Sequence, residues 1–281
     1  MRFAFSTAPQ NCTWQEVLDI WRAADDIDLF ESGWTFDHFE PIFSDRTGPC
    51  LEGWTTLAAL LQATRRLRGG VMVTGMVYRH PAVLANMAAT VDIVSGGRLE
   101  LGLGAGWNTD ECDAYGIELG SLKERFDRFS EGLEVIVRLL RDEVSSFDGR
   151  WFHLDRARCE PKPVQRPHPP ICIGGGGEKR TLPLVAKYAQ IWNYPGNSTD
   201  PVRDFRAKRE VLERACAEIG RDPAEITMST QLWGREQSPS QMADRAAEYA
   251  EAGVGLCVVS LPRPLRAADL EPIATALAPL R

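Results

Sequence analysis

Four consecutive glycines, Gly174, Gly175, Gly176 and Gly177, precede Glu178, Lys179, Arg180 and a helix-like apolar pattern. Unhindered N–H groups at a helix start, with two cations beside them, suit an anion such as a phosphate. The plain alternative is a tight strand-to-helix turn, although four glycines exceed what a turn requires. Asp37 and His38 close another apolar run and form a candidate proton-transfer pair, because histidine titrates near neutrality. An inert, hydrogen-bonded turn is the alternative there, and Tyr78, Arg79 and His80 pose the same question with less force. Gly106, Trp107 and Asn108 offer open backbone, a stacking face and a polar anchor, or else a core tryptophan beside a turn asparagine. Gly102, Gly104 and Gly106 do not make a dinucleotide fingerprint, since Trp107 stands where its last glycine belongs. Asp110, Glu111 and Asp113 read as a solvated acidic loop, with no histidine at ligand spacing, so no metal is expected. His153 and His168 read as structural, and the absence of Gly-x-Ser-x-Gly and His-Glu-x-x-His motifs argues against a hydrolase.

Elements that alternate along the chain must position these residues. Apolar runs over 70–77 and 99–104 flank a helix opened by Pro81, whose missing N–H has no partner in a first helical turn anyway. Val83, Leu84, Met87, Val91 and Val94 give that helix its expected apolar stripe, and Gly96 and Gly97 stop it. Both runs end in glycine and small polar residues, as if to bring backbone close to a ligand. Further strands are expected at 2–6, 32–36, 171–173, 190–194, 226–232 and 255–260. Helices are expected after the Thr13–Glu16 capping box, over 52–64, for about five turns after Asp110, and over 179–188. Others start at Asp200-Pro201 and run over 240–252 and 267–278. Residues 144–154 carry Asp148-Gly149 between two short runs, a hairpin within an insertion at about 142–168. Eight strands alternating with eight helices predict a single closed (β/α)8 barrel over 1–281, with an open doubly wound sheet as rival. In a barrel, the candidate residues fall where strands end and the next loops begin.

Bulk properties narrow the function. The 281 residues are 44% hydrophobic and 25% charged, with a net charge of −7 and no basic block, which argues against nucleic acid as a partner. Seven scattered cysteines without a Cys-x-x-Cys pair fit a reducing compartment better than a disulfide framework. The first nine residues hold no apolar signal core and no stretch is long enough to cross a membrane, so a cytoplasmic location is expected.

Asp37-His38, the run over 74–81, the stretch from Ser95 through Gly104-Ala-Gly-Trp-Asn108, and Pro169-Pro-Ile-Cys-Ile-Gly-Gly-Gly-Gly177 carry a resemblance. The sequence resembles the bacterial luciferase-like monooxygenase superfamily, and within it the branch that uses the deazaflavin coenzyme F-420. That resemblance implies a (β/α)8 barrel with insertions, usually homodimeric, holding a flavin or deazaflavin at the strand C-termini. It implies a bulge around Val71 and Met72, often with a non-prolyl cis peptide, against the cofactor ring. Asp37 and Thr74 would then bond the ring's polar edge. Gly106, Trp107 and Asn108 would hold the ring and ribityl chain. The glycines from Gly174 to Gly177, with Lys179, would take the phosphate, and His38 would act as acid or base. Sugar-phosphate dehydrogenases of the family carry an acidic group where this chain has Trp107, a tryptophan where it has Ile42, and a lysine near Asn197. The implied substrate is therefore apolar or aromatic, over Phe39, Ile42, Trp54, Trp107 and Trp192. The expected function is hydride transfer between coenzyme F-420 and a small organic substrate. The alternatives are an FMN-dependent, reductase-coupled monooxygenase and a non-catalytic flavin-binding module.

Overall fold

The computed structural model describes residues 1–233 and 237–281. From the first residues, strands and helices alternate: β1 (Arg2–Ser6), α1 (Trp14–Asp25), β2 (Phe30–Thr35), α2 (Gly53–Ala63) and β3 (Arg68–Val71). The third strand resumes after a break as β4 (Thr74–Gly75), followed by α3 (Pro81–Val94), β5 (Leu99–Gly104), a short α4 (Thr109–Ala114) and the long α5 (Leu122–Arg141). A hairpin of β6 (Ser145–Asp148) and β7 (His153–Ala157) intervenes. The alternation then continues through β8 (Ile171–Gly174), α6 (Thr181–Tyr188), β9 (Ile191–Tyr194), α7 (Pro201–Glu218) and β10 (Thr227–Trp233). It finishes with α8 (Pro239–Glu251), β11 (Leu256–Ser260) and α9 (Leu270–Leu277). The main sheet runs β3-β2-β1-β11-β10-β9-β8-β5-β4, and a β3–β5 pairing closes it into an all-parallel barrel. This is the (β/α)8 barrel with a hairpin insertion that the alternation predicts.

Strand residues alternate between two cores. Phe3 and Phe5 point into the helix layer, whereas Ala4, Trp34, Cys172, Leu256 and Val258 fill the barrel interior. Covering helices bury both faces of such strands, which is why they read as continuous apolar runs. Local chemistry starts the helices as expected: Thr13 and Glu16 cap each other reciprocally, and Pro81 and Pro201 occupy first-turn positions.

The stripe expected on α3 needs correction. Val83 and Val94 are exposed, and the buried face is Leu84, Ala85, Ala88, Ala89 and Val91 with Asp92. Three alanines on that face let α3 lie close to α5, against which it packs. Buried Asp92 accepts the backbone N–H and the side-chain amide of Gln165, tying the insertion to α3.

The glycines of β5 also differ from their first reading. Gly70 pairs with Glu100 and Thr74 with Leu103, four steps on one strand against three on the other, so the third strand carries one extra residue. The Met72–Val73 peptide within this bulge is cis, one position beyond the place expected. A Cβ at Gly102 would lie 1.9 Å from the Val71 carbonyl oxygen, and one at Gly104 2.7 Å from a Val73 methyl. Both glycines therefore make room for the chain's own bulge rather than for a ligand. All seven cysteines are free. Among the described residues no helix is long and apolar enough to cross a membrane.

Candidate active site

A cavity of about 760 Å³ opens at the C-terminal ends of the strands. One side is built by the bulge and the ends of β5, β8 and β9: Met72, Val73, Gly106, Gly174, Gly175 and Asn193. The facing side comes from the ends of β1, β2, β10 and β11 and the residues that follow them, among them His38, Ile42, Phe43, Trp233 and Leu261.

His38 lies three residues beyond Thr35, the last residue of β2, and is largely buried. Its Nδ1 lies 2.9 Å from Oε2 of Glu111, which is fully buried. Tyr78 donates to the same oxygen at 2.6 Å, and the backbone N–H groups of Phe39 and Glu40 donate to Oε1 at 2.6 and 3.1 Å. Burial alone would raise the Glu111 carboxyl, but the bonds from His38, Tyr78 and Phe39 outweigh it and hold the group down at about 2. Burial and the adjoining carboxylate push the Tyr78 phenol up, so it stays a donor. A charged carboxylate on Nδ1 selects the tautomer with its proton there and leaves Nε2 for a cavity guest. Glu111 was read from the sequence as part of a solvated acidic loop. Asp110 and Asp113 are indeed solvated, but all three lie on the helix α4 rather than a loop, and Glu111 sits on its inner face beside buried Cys112.

Asp37, also fully buried, is gripped by Arg79 through two bonds of 2.6 and 2.8 Å and by the Gly75 N–H at 3.2 Å. Arg79 reaches Glu52 as well, at 2.7 Å, and Glu52 caps α2 through the N–H groups of Trp54 and Thr55. One guanidinium thus joins the segments after β2, before α2 and after β4. Tyr78 and Arg79, raised from the sequence only as weaker candidates, thus belong to the site, and so does Glu52, which the sequence reading did not single out. The signal for Arg79 was its place among polar residues just past a strand end.

Other expected site residues are distributed unevenly. Met72, Gly106, Trp107, Gly174 and Gly175 line the cavity. Val71 and Thr74 do not: Val71 packs into the helix layer, and Thr74 is fully buried and accepts the Trp54 indole N–H at 3.0 Å. Asn108 is the N-cap of α4, accepting the Glu111 N–H, so the turn reading fits its side chain. Trp107 is 51% exposed and no core residue. The Gly175 N–H is not bare but donates to the Asn193 carbonyl at 3.0 Å. Among the described residues no acceptor meets the N–H of Gly176 or Gly177. Lys179 is exposed at this rim, and Arg180 is turned away to Asp127. Of the expected substrate wall, Ile42 and Trp107 are present. Phe39 packs on Tyr78 and Tyr115, and Trp54 and Trp192 are core residues bonded to Thr74 and the Gly175 carbonyl.

Comparison with known proteins settles the family. The model of the luciferase-like monooxygenase family matches residues 1–234. This chain belongs to that family. An uncharacterized protein of Mycobacterium tuberculosis is 31% identical over 218 residues, 78% of this chain and 72% of its own length. The F420-dependent hydroxymycolic acid dehydrogenase of the same organism is 30% identical over 253 residues, covering 89% of this chain and 67% of the dehydrogenase. Among solved structures, an F420-dependent secondary alcohol dehydrogenase in complex with an F420-acetone adduct superposes with a TM-score of 0.88 at 19% identity. That match covers 100% of this chain and 99% of the other, a likeness of fold. In this luciferase-like barrel the cavity therefore lies where the fold gathers its chemistry, at the strand C-termini.

Proposed function

We propose that this luciferase-like protein is an oxidoreductase that transfers a hydride between the deazaflavin coenzyme F-420 and a small organic substrate. The observation that carries the reading is the pairing, in one cavity, of an orientated histidine with glycine backbone that presents no side chain, at Gly106, Gly174 and Gly175. That backbone fits a flat ring with an anionic tail. Gly106 and Gly174 leave its surface open beside the apolar Met72 and Val73. Gly176 and Gly177 follow directly on the lining Gly175, their N–H groups meet no acceptor among the described residues, and with Lys179 they would hold a phosphate. Gly175 would contribute open surface there rather than its N–H. Trp107 would flank the ring, and Asn108 would act by fixing the start of α4. When bound, the deazaflavin supplies a two-electron hydride carrier. The chain itself supplies orientation, a largely apolar cavity and a proton-accepting nitrogen at His38 Nε2, with Glu111 holding the opposite nitrogen. Similarity to an F420-dependent dehydrogenase over most of the chain supports the choice of coenzyme.

Two further elements belong to this proposal. The exposed Val83 and Val94 of α3 offer an apolar face to the homodimer expected of the family, and the seven free cysteines suit a cytoplasmic protein. Titration of the protein with coenzyme F-420 and with FMN tests the cofactor. Tighter F-420 binding is expected, and tighter FMN binding would replace this reading with a monooxygenase. His38→Gln should keep the coenzyme bound while turnover falls by about a hundredfold or more. Unchanged turnover would point to a binding module instead.

A further inference from the structure

Resting on the oxidoreductase reading above, we propose that the substrate carries a hydroxyl group apart from its reacting carbon, and that Ser6, Ser260 and Gln231 select for it. These residues come from three neighbouring strands, β1, β11 and β10, and all three line the cavity. Strand parity turns them inward. Ala4 and Val258 fill the barrel interior, so Ser6 and Ser260, two residues further on, face the same way. Leu232 packs into the helix layer, which leaves Gln231 to the interior. Ser6 and Ser260 are register partners. Adjacent strands lie about 4.8 Å apart, so the two hydroxyls can close on a single oxygen placed between them. Gln231 stands opposite Val258, one inward-facing position earlier, and its longer side chain still reaches the lining.

The Gln231 amide is aimed by a buried chain of bonds. Asn193 donates from Nδ2 to the Ser229 hydroxyl at 2.9 Å, and both residues are buried. Its Oδ1 is thereby turned to accept from Gln231 Nε2 at 3.2 Å, so Gln231 Oε1 is the end left for a guest. Among the described residues no partner meets that oxygen or the hydroxyls of Ser6 and Ser260. A serine hydroxyl donates or accepts, whereas Oε1 only accepts. A guest hydroxyl answers both, giving its proton to Gln231 and a lone pair to a serine. A carbonyl or ether oxygen would leave Oε1 unmet once the guest had displaced its water, and an unmet polar group is costly.

The polar groups form an arc that starts beside the histidine. Strand β2 pairs with β1, and His38 follows it, so the order around the cavity is His38, Ser6, Ser260 and Gln231. A reacting group at His38 Nε2 and a second hydroxyl between the serines therefore belong to one small molecule. The expected substrate is a hydroxylated alcohol or ketone, more polar than the apolar or aromatic compound that the family resemblance implies. A few placed polar groups on an otherwise apolar lining are what fixes the orientation of a small guest.

Ligand-detected NMR on the full chain, which reads weak binding, tests the proposal with cyclohexanol, the cyclohexanediols and their mono-methyl ethers. At least one diol should bind about tenfold tighter than cyclohexanol, and its methyl ether, which keeps the second oxygen without the proton, should lose that gain. Ser6→Ala combined with Ser260→Ala, and separately Gln231→Leu, should each cut the preference to about twofold or less, while Ser260→Thr, which retains a hydroxyl, should keep it. Cyclohexanol bound as tightly as every diol, no saturable diol binding, or survival of the preference in either variant overturns the proposal. A parallel coenzyme F-420 titration separates the two readings. Failure there with the diol still preferred removes the cofactor assignment and leaves the hydroxyl subsite, whereas coenzyme binding without a diol preference removes the subsite alone.

Discussion

Glu111, beyond the C-terminal ends of the strands, and Glu100, near the N-terminal end of β5, are both buried glutamates, yet the protein surrounds them in opposite ways. Four donors converge on Glu111: the His38 ring, the Tyr78 hydroxyl and two backbone N–H groups. Glu100 has one charged partner, Arg68 at 2.9 Å, and its Oε2 meets no donor. Burial therefore wins at Glu100 and pushes its carboxyl up, whereas at Glu111 the donors win and the carboxyl is held at about 2. A buried carboxylate is kept charged only where its surroundings are arranged for the charge. Here that happens beside the residue that would move a proton, while the other end of the barrel accommodates a glutamate with a tendency to be neutral.

The sharpest way to break this contrast is Glu111→Gln. An amide cannot accept from all four donors, so unfolding free energy should fall by on the order of 3 kcal/mol, read from urea titration. Turnover attributed to His38 should fall with it. The pH dependence carries the same message. With its folded value lowered from 4.5 to about 2, Glu111 contributes stability that is fully present above about pH 4.5 and is lost as pH falls toward 2. The wild-type chain should lose stability through that window, and the glutamine variant should lose less. A parallel decline in both would refute the assignment of the acid-sensitive group.

Tyr78→Phe is the next step down. It removes one bond to the carboxylate and leaves three, so a loss of about 1–2 kcal/mol is expected, with His38 still orientated. Glu100→Gln should be the mildest, within about 1 kcal/mol of wild type at neutral pH, since Arg68 keeps the carbonyls of Gly97 and Leu99 and the Gln165 amide oxygen. Its sign is opposite. A carboxyl raised in the folded state favours folding below its unfolded value and loses that contribution as pH rises toward its folded value. The variant should therefore gain on wild type as pH climbs above the ordinary carboxylate range, and a widening deficit would refute the contrast.

Much of the fold was legible because its signals are local. The Thr13–Glu16 cap, Pro81, the Asp200-Pro201 pair and Asp148-Gly149 each act within a few residues, so spacing alone reveals them. Asp37 and His38 were legible for a topological reason: barrels collect polar residues at strand ends. Glu111 was not, because its burial depends on His38 and Tyr78, far away along the chain. A faint local signal did exist, as Asn108 three residues before a glutamate is a helix-start pattern that would have lifted Glu111 out of the supposed loop. The α3 stripe was misjudged for the converse reason. Valine outranks alanine in apolar character, but the close approach to α5 favours the smaller side chain. The wall residues Trp54 and Trp192 are strong aromatic signals, yet the parity of a strand or the phase of a helix decides which way such a side chain faces.

The bulge of the third strand has a consequence for how this wall can vary. Val73 occupies the volume that a side chain at position 104 would claim and presses within 3.3 Å of where one at 174 would begin. These three sites behave as interlocking pieces, since enlarging either glycine demands a smaller residue at 73. What looks from the chain like a ligand's fingerprint is, in part, the imprint of a neighbouring valine.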